Sequence, residues 1–256
     1  MCKCLGCMEG VVLLSELHPH GWKFFNPINQ AMEWFGLLTQ AEIAELQKQG
    51  SITYSQVIEL IGQRCMARGH ILVLRDWAHL DFTGLPFVTA PPYRPLLYSE
   101  LAQSFDIIRI STTRDPVTQW QSLVKLEVMR NPLQSGVFNL DKFLVGYRKY
   151  AELCVETGFI RYEDFLHNPD LAMRKFCDHL QIKFDSEFIS KWPDYKTITG
   201  DVPSQSKPSG ITMPYDSNKI LLPPKRTVEA SLKKRFLANA DYHRACQLLG
   251  YDLLEK

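Results

Sequence analysis

Arg114 and Ser122, eight residues apart, are the side chains of this sequence best suited to grip one anion together. Between them stands Asp115-Pro116, where an apolar run, Ile107-Ile108-Arg109-Ile110, has passed through Ser111-Thr112-Thr113 into an amphipathic stretch. Phe105 to Ser111 reads as a buried strand, and the stretch after Asp115 as a helix with Pro116 at its first position. A strand that hands over to a helix through a short polar turn presents free backbone N–H groups, which attract phosphate. A guanidinium at the mouth of the turn offers a planar fork, and a hydroxyl two helical turns further on offers another donor. By itself the spacing also arises by chance, and Asp-Pro starts many helices that bind nothing.

The elements downstream narrow the choice. Gly158 to Arg161 reads as another strand, reached through a helix from about Asn139 to Glu156. It runs on into Tyr162-Glu163-Asp164-Phe165. Asn168-Pro169 then opens a helix carrying Met173, Phe176, Cys177 and Leu180 at i, i+3, i+4, i+7. This order, strand, Arg-Asp-Pro helix with its Ser, helix, strand, Tyr-Glu-Asp, helix, resembles the sulfotransferase family over roughly residues 10 to 250. The residues that carry it most specifically are Arg114 to Asp164. Gly250-Tyr251, after closing helices near Val228–Leu237 and Asp241–Leu249, also looks like a sulfotransferase ending.

The resemblance implies an α/β fold, a three-layer P-loop NTPase-like parallel sheet with helices on both faces. It implies transfer of a sulfuryl group from 3′-phosphoadenosine 5′-phosphosulfate, the co-substrate, to an acceptor hydroxyl or amine, with no metal. Arg114 and Ser122 then fall on the donor's 3′-phosphate and Tyr162 beside its adenine. A core tyrosine at a strand end is the plain alternative for Tyr162.

Such a transfer needs a group to take the acceptor's proton. Arg75-Asp76-Trp77-Ala78-His79 leaves the strand His70–Arg75 at its carboxyl end, where open α/β sheets bind ligands. Relatives carry a Lys-Thr-His run there. Here Arg75 replaces the Lys, Trp77 replaces the His, and His79 comes two residues later. His79 is one candidate base and Glu16, at the end of the strand begun by Val11-Val12-Leu13-Leu14, is the other; a packing histidine is the plain reading of the first. His18 and His70 are weaker candidates. Ser206-Lys207-Pro208-Ser209-Gly210 could fold over the 3′-phosphate, with Lys207 as its cation, and Lys225-Arg226 is a rival for that place.

Composition agrees with an enzyme-sized domain. The 256 residues suit one domain spanning 1–256, and 45% apolar residues supply its core. A net charge of +1 argues against nucleic acid or an anionic membrane as partner, leaving a small-molecule or carbohydrate acceptor. No stretch approaches the ~18 apolar residues of a membrane span. Seven cysteines, an odd number, read as reduced thiols of a cytoplasmic protein. Cys2, Cys4 and Cys7 crowd together without a fourth metal ligand, so they read as a helix end running into the first strand. Helices are expected at 27–38, from Thr39 to Gly50, and from Tyr54 to Gly69, with irregular chain at 83–96 and a lid or binding loop from Trp192 to Lys225.

One part is missing. Relatives wrap the donor's 5′-phosphosulfate with a Gly/Ser/Thr-rich loop after their first strand, and no such run stands in this sequence. The expectation is an N-terminal truncation that removes the first, central strand, and a chain inactive as given. Two other readings stay open: a non-catalytic nucleotide-binding module, and an interaction protein that pairs an exposed sheet edge with another chain.

Overall fold

The computed structural model describes residues 1–48, 52–199, 220 and 227–255, and these divide into two compact units. The first takes the described residues of Met1–Ala78, Pro95–Ile107 and Gln181–Ser206. The second takes those of His79–Arg94, Ile108–Leu180 and Lys207–Lys256.

In the first unit, β1 (Val11–Leu17) and β2 (Ile71–Asp76) pair in parallel. Parallel neighbours require a crossover, and α1 (Tyr54–Ala67) is its longest piece. Thr53 starts α1 with a capping box: its hydroxyl accepts the Gln56 N–H, and the Gln56 side chain accepts the Thr53 N–H at 2.9 Å. The stripe Tyr54, Val57, Ile58, Ile61, Cys65 is buried, as its spacing predicts, and packs with Val12, Leu14 and Leu17 of β1. Pairing is regular from Val11↔Ile71 to Leu14↔Leu74 and then shifts, so that Leu17 faces Asp76. Ser15 and Glu16 form the irregularity, and Glu16 is left-handed, with φ 55°. Bulges of this kind turn a side chain out of the ladder and often border active sites.

The helix expected at 27–38 is instead a single α turn, Pro27–Asn29, running into a π-helix, Gln30–Trp34. Gln30 opens the wide turn with its side chain committed elsewhere. Its amide donates to the Ser15 carbonyl at 2.8 Å and accepts the Ser15 N–H at 2.7 Å, satisfying both backbone groups at the bulge.

In the second unit, β3 (Ser111–Thr113) pairs in parallel with β4 (Phe159–Arg161), from Ser111↔Phe159 to Thr113↔Arg161. Between them run α2 (Pro116–Leu123) and α3 (Leu140–Thr157). Asn139 caps α3 through the Lys142 N–H at 3.0 Å, and Gly158, at φ 73°, ends it. After β4 come α4 (Tyr162–His167) and α5 (Pro169–Leu180), with Met173, Phe176 and Cys177 buried as their periodicity predicts. The core of this unit joins Phe143, Leu144, Tyr147 and Cys154 of α3 to Tyr242, Ala245 and Leu249 of α6 (Ala240–Leu249).

The single parallel sheet expected from the sequence is not what the described residues form: they make two separate two-stranded pairs. The strand expected at Phe105–Ser111 shrinks accordingly, and only Ser111 to Thr113 enter a ladder. An apolar run becomes a strand only where a neighbour accepts its backbone hydrogen bonds. Residues 105–110 lack that neighbour among the described residues, and Ile108 is 41% exposed. All seven cysteines are free, and Cys2–Gly6 is a short helix.

Candidate functional site

The first unit concentrates its unusual chemistry at the carboxyl ends of β1 and β2. Glu16 combines a left-handed backbone with a side chain only 14% exposed. Its Oε1 lies 3.6 Å from Arg75 Nη2, while Oε2 is buried without a hydrogen-bond partner among the described residues. The other arm of Arg75 donates to Ser15 Oγ at 3.0 Å and to the Thr199 carbonyl at 3.2 Å. Left-handed backbone at a non-glycine residue costs about 1–3 kcal/mol, as does an unsatisfied buried polar atom. Two such costs fall on one residue at the carboxyl end of a parallel pair, where contacts elsewhere must offset them.

Beyond β2, Trp77 packs edge-on to Phe25 at 4.9 Å and abuts Gly21, where an added Cβ would stand 2.9 Å from the indole. Trp22 meets Tyr54 edge-on at 5.7 Å. These aromatic contacts are packing, although Phe24 is 66% exposed. His18 is buried, with Nδ1 accepting the His20 N–H at 3.0 Å.

In the second unit, His79 is exposed and opens the four-residue helix His79–Phe82. The carboxyl ends of β3 and β4 carry the remaining candidates. Arg114 follows Thr113 directly, and its guanidinium sits over the Tyr162 ring, 5.2 Å from the ring centre. Its carbonyl accepts from the Tyr147 hydroxyl. No carboxylate pairs with Arg114 among the described residues, so its N–H edges carry no counter-ion. Ser122, half-buried on α2, is in a similar state. Thr118 on the same helix turns its hydroxyl back to the Asp115 carbonyl at 3.0 Å, the usual habit of a helical hydroxyl, but Ser122 makes no such bond. Structure thus brings Arg114 to Tyr162 and leaves the Ser122 hydroxyl unspent among the described residues. Lys207 and Lys225-Arg226 lie outside the described residues.

The turn itself differs from expectation. Two of its backbone N–H groups are already occupied: Asp115 Oδ1 accepts the Thr118 N–H at 2.7 Å, and the Asp115 N–H donates to Glu163 Oε1 at 2.9 Å. A helix start capped by its own carboxylate has little left for an external anion, so the grip falls to side chains. Burial pushes the Asp115 carboxyl above the usual range, Glu163 adds to the push, and the bonds from Thr118 oppose it. Glu163 also accepts from the Tyr251 hydroxyl at 2.9 Å. The motif Tyr162-Glu163-Asp164 was visible in the sequence, but nothing there showed that its glutamate reaches both the turn and the chain's end.

No family model matches this sequence, and no curated protein matches it significantly. Among solved structures, the fold is similar to a sulfotransferase domain from the curacin biosynthetic pathway. That likeness has a TM-score of 0.60 at 17% identity, covering 98% of this chain and 93% of that one. At such identity it speaks for fold alone: the chain has a sulfotransferase-like mixed α/β fold, with short parallel strand pairs among many helices. Among the described residues no helix is long and apolar enough to cross a membrane, and no group of three His, Cys, Asp or Glu is placed to hold a metal.

Proposed function

We propose that this chain is a sulfotransferase-like protein whose second unit grips the 3′-phosphate of 3′-phosphoadenosine 5′-phosphosulfate through Arg114 and Ser122. The observation that carries the reading is the state of Arg114: its guanidinium lies over an aromatic ring, 5.2 Å from the ring centre, while its N–H groups face no carboxylate among the described residues. An arginine serving only stability is normally paired, as Arg161 is with Asp164 at 2.9 Å through two nitrogens. A guanidinium held this way suits a bidentate phosphate.

The proton acceptor we assign is Glu16. In the complete reaction the acceptor's oxygen or nitrogen bonds to sulfur, and the bond from sulfur to the donor's 5′-phosphate oxygen breaks. Glu16 Oε2, buried without a hydrogen-bond partner among the described residues, takes the acceptor's proton. His79, exposed on its short helix, suits the role less well. The sequence holds no run that would wrap the 5′-phosphosulfate, so the chain as given binds the nucleotide without completing transfer.

Calorimetric titration with 3′-phosphoadenosine 5′-phosphate and with adenosine 5′-phosphate tests this. The first should bind about 10- to 100-fold tighter, the worth of a hydrogen-bonded charge pair. Arg114→Ala should erase that preference and Ser122→Ala reduce it. Equal affinities for the two nucleotides in the unaltered protein would remove the reading.

A further inference from the structure

Glu163 sits where three pieces of chain in the second unit converge. Oε1 accepts the Asp115 N–H at 2.9 Å, so it holds the residue that follows Arg114. Oε2 accepts the Tyr251 hydroxyl at 2.9 Å, so it holds the chain beyond α6. The Tyr251 oxygen also lies 3.0 Å from the hydroxyl of Thr113, the residue before Arg114. With the phenol proton directed at the carboxylate, Thr113 is the donor in that second bond. Arg114 is therefore bracketed on both sides by one carboxylate–phenol pair.

Tyr251 is itself fixed. Gly250, in the left-handed region at φ 68°, ends α6 and turns the chain so that the Tyr251 N–H reaches the Cys246 carbonyl at 3.0 Å. The Arg161 guanidinium lies over the Tyr251 ring at 5.6 Å and donates to the Gly250 carbonyl at 2.6 Å. Burial first, then Glu163, raises the Tyr251 phenol above its ordinary range, which keeps it protonated as a donor.

We infer that Tyr251 and Glu163 are positioning residues for 3′-phosphate selectivity: the carboxyl-terminal tail sets the backbone on either side of Arg114, and so the angle at which its fork is presented. The inference rests on the assignment of Arg114 to the 3′-phosphate and extends it to two residues that touch no ligand. A guanidinium makes two good bonds to one phosphate only within a narrow range of orientations. A turn released at both ends widens that range and weakens the bidentate grip, leaving contacts to the adenine and 5′-phosphate untouched.

Two measurements on Tyr251→Phe, Glu163→Ala and Glu163→Gln separate this inference from the reading beneath it. The first is the affinity ratio between 3′-phosphoadenosine 5′-phosphate and adenosine 5′-phosphate. Tyr251→Phe and Glu163→Ala should lower it about tenfold, the worth of one or two hydrogen bonds, through the first nucleotide alone. Glu163→Gln should keep the ratio, since its carbonyl can accept the Asp115 N–H and its amide can donate to Tyr251. The second is amide hydrogen exchange, which should quicken at residues 113–118 in the same two variants and stay unchanged in α3. An unaltered protein with no preference defeats the phosphate assignment, and the selectivity inference with it. A preference that exists but survives in Tyr251→Phe and Glu163→Ala overturns the selectivity inference alone, and unchanged exchange at 113–118 overturns the bracket.

Discussion

The Arg114 guanidinium lies 5.2 Å from the centre of the Tyr162 ring, and the two residues directly follow the paired strand ends Thr113 and Arg161. Parallel pairing brings them together, because each strand delivers the residue after its last register pair to the same edge. The cation–π contact leaves the guanidinium N–H groups unspent and is worth about 0.5–1 kcal/mol. A lysine in that place would keep the charge and lose the planar fork. Arg114→Lys should therefore fall nearer Arg114→Ala than the unaltered protein in calorimetric affinity for 3′-phosphoadenosine 5′-phosphate; a lysine variant that binds normally would show that charge alone suffices.

Asp115 makes a prediction in pH. Its folded carboxyl is raised above the ordinary value, chiefly by burial. A raised acid costs stability when ionised, so its contribution is greatest in acid and is lost as pH rises through the folded value. Asp115→Asn keeps the cap on the Thr118 N–H and removes the charge. The variant should gain urea stability over the unaltered protein at neutral pH, and the gain should vanish below the ordinary aspartate range. A gain of equal size at every pH would disprove burial of the charge as its source. Asp115→Ala should lose about 1 kcal/mol of cap.

Glu16 should show function opposed to stability. Glycine adopts φ 55° without strain and leaves no carboxylate to bury. Glu16→Gly should raise the urea midpoint by the equivalent of about 1 kcal/mol. In a fusion that supplies a 5′-phosphosulfate loop, it should also remove turnover while nucleotide binding persists. An unchanged or lowered midpoint would mean that the strain is offset by contacts of the glutamate.

Gly146 lies on α3 where a Cβ would stand 2.0 Å from the Phe82 carbonyl oxygen. Backbone cannot yield as a flexible side chain can. Gly146→Ala should cost about 1–3 kcal/mol, seen as a lower midpoint in thermal unfolding, whereas an alanine at exposed Gly136 should not produce an overpacking loss of this kind.

Most of the helical framework was legible because each helix carries its own evidence. The stripe from Tyr54 to Cys65 and the Asp-Pro start are local patterns, set by 3.6-residue periodicity and by the first unpaired N–H groups. The run at Phe105–Ile110 was misread for the converse reason. Its apolar residues are compatible with a strand, but strand status belongs to a pair, and no neighbour of that segment is written in the segment.

The candidate site divides along the same line. From the sequence alone came the types and order of Arg114, Ser122, Tyr162 and Glu16, because functional groups and their spacing are covalent facts. Tertiary structure alone decided that Asp115 and Glu163 occupy two amides of the turn expected to meet a phosphate, that Glu16 stands in a bulge with one oxygen unpartnered among the described residues, and that Glu163 binds residues 48 and 88 positions away. Hydrogen bonds across such separations follow from how strands and helix ends pack, which no short stretch of sequence encodes.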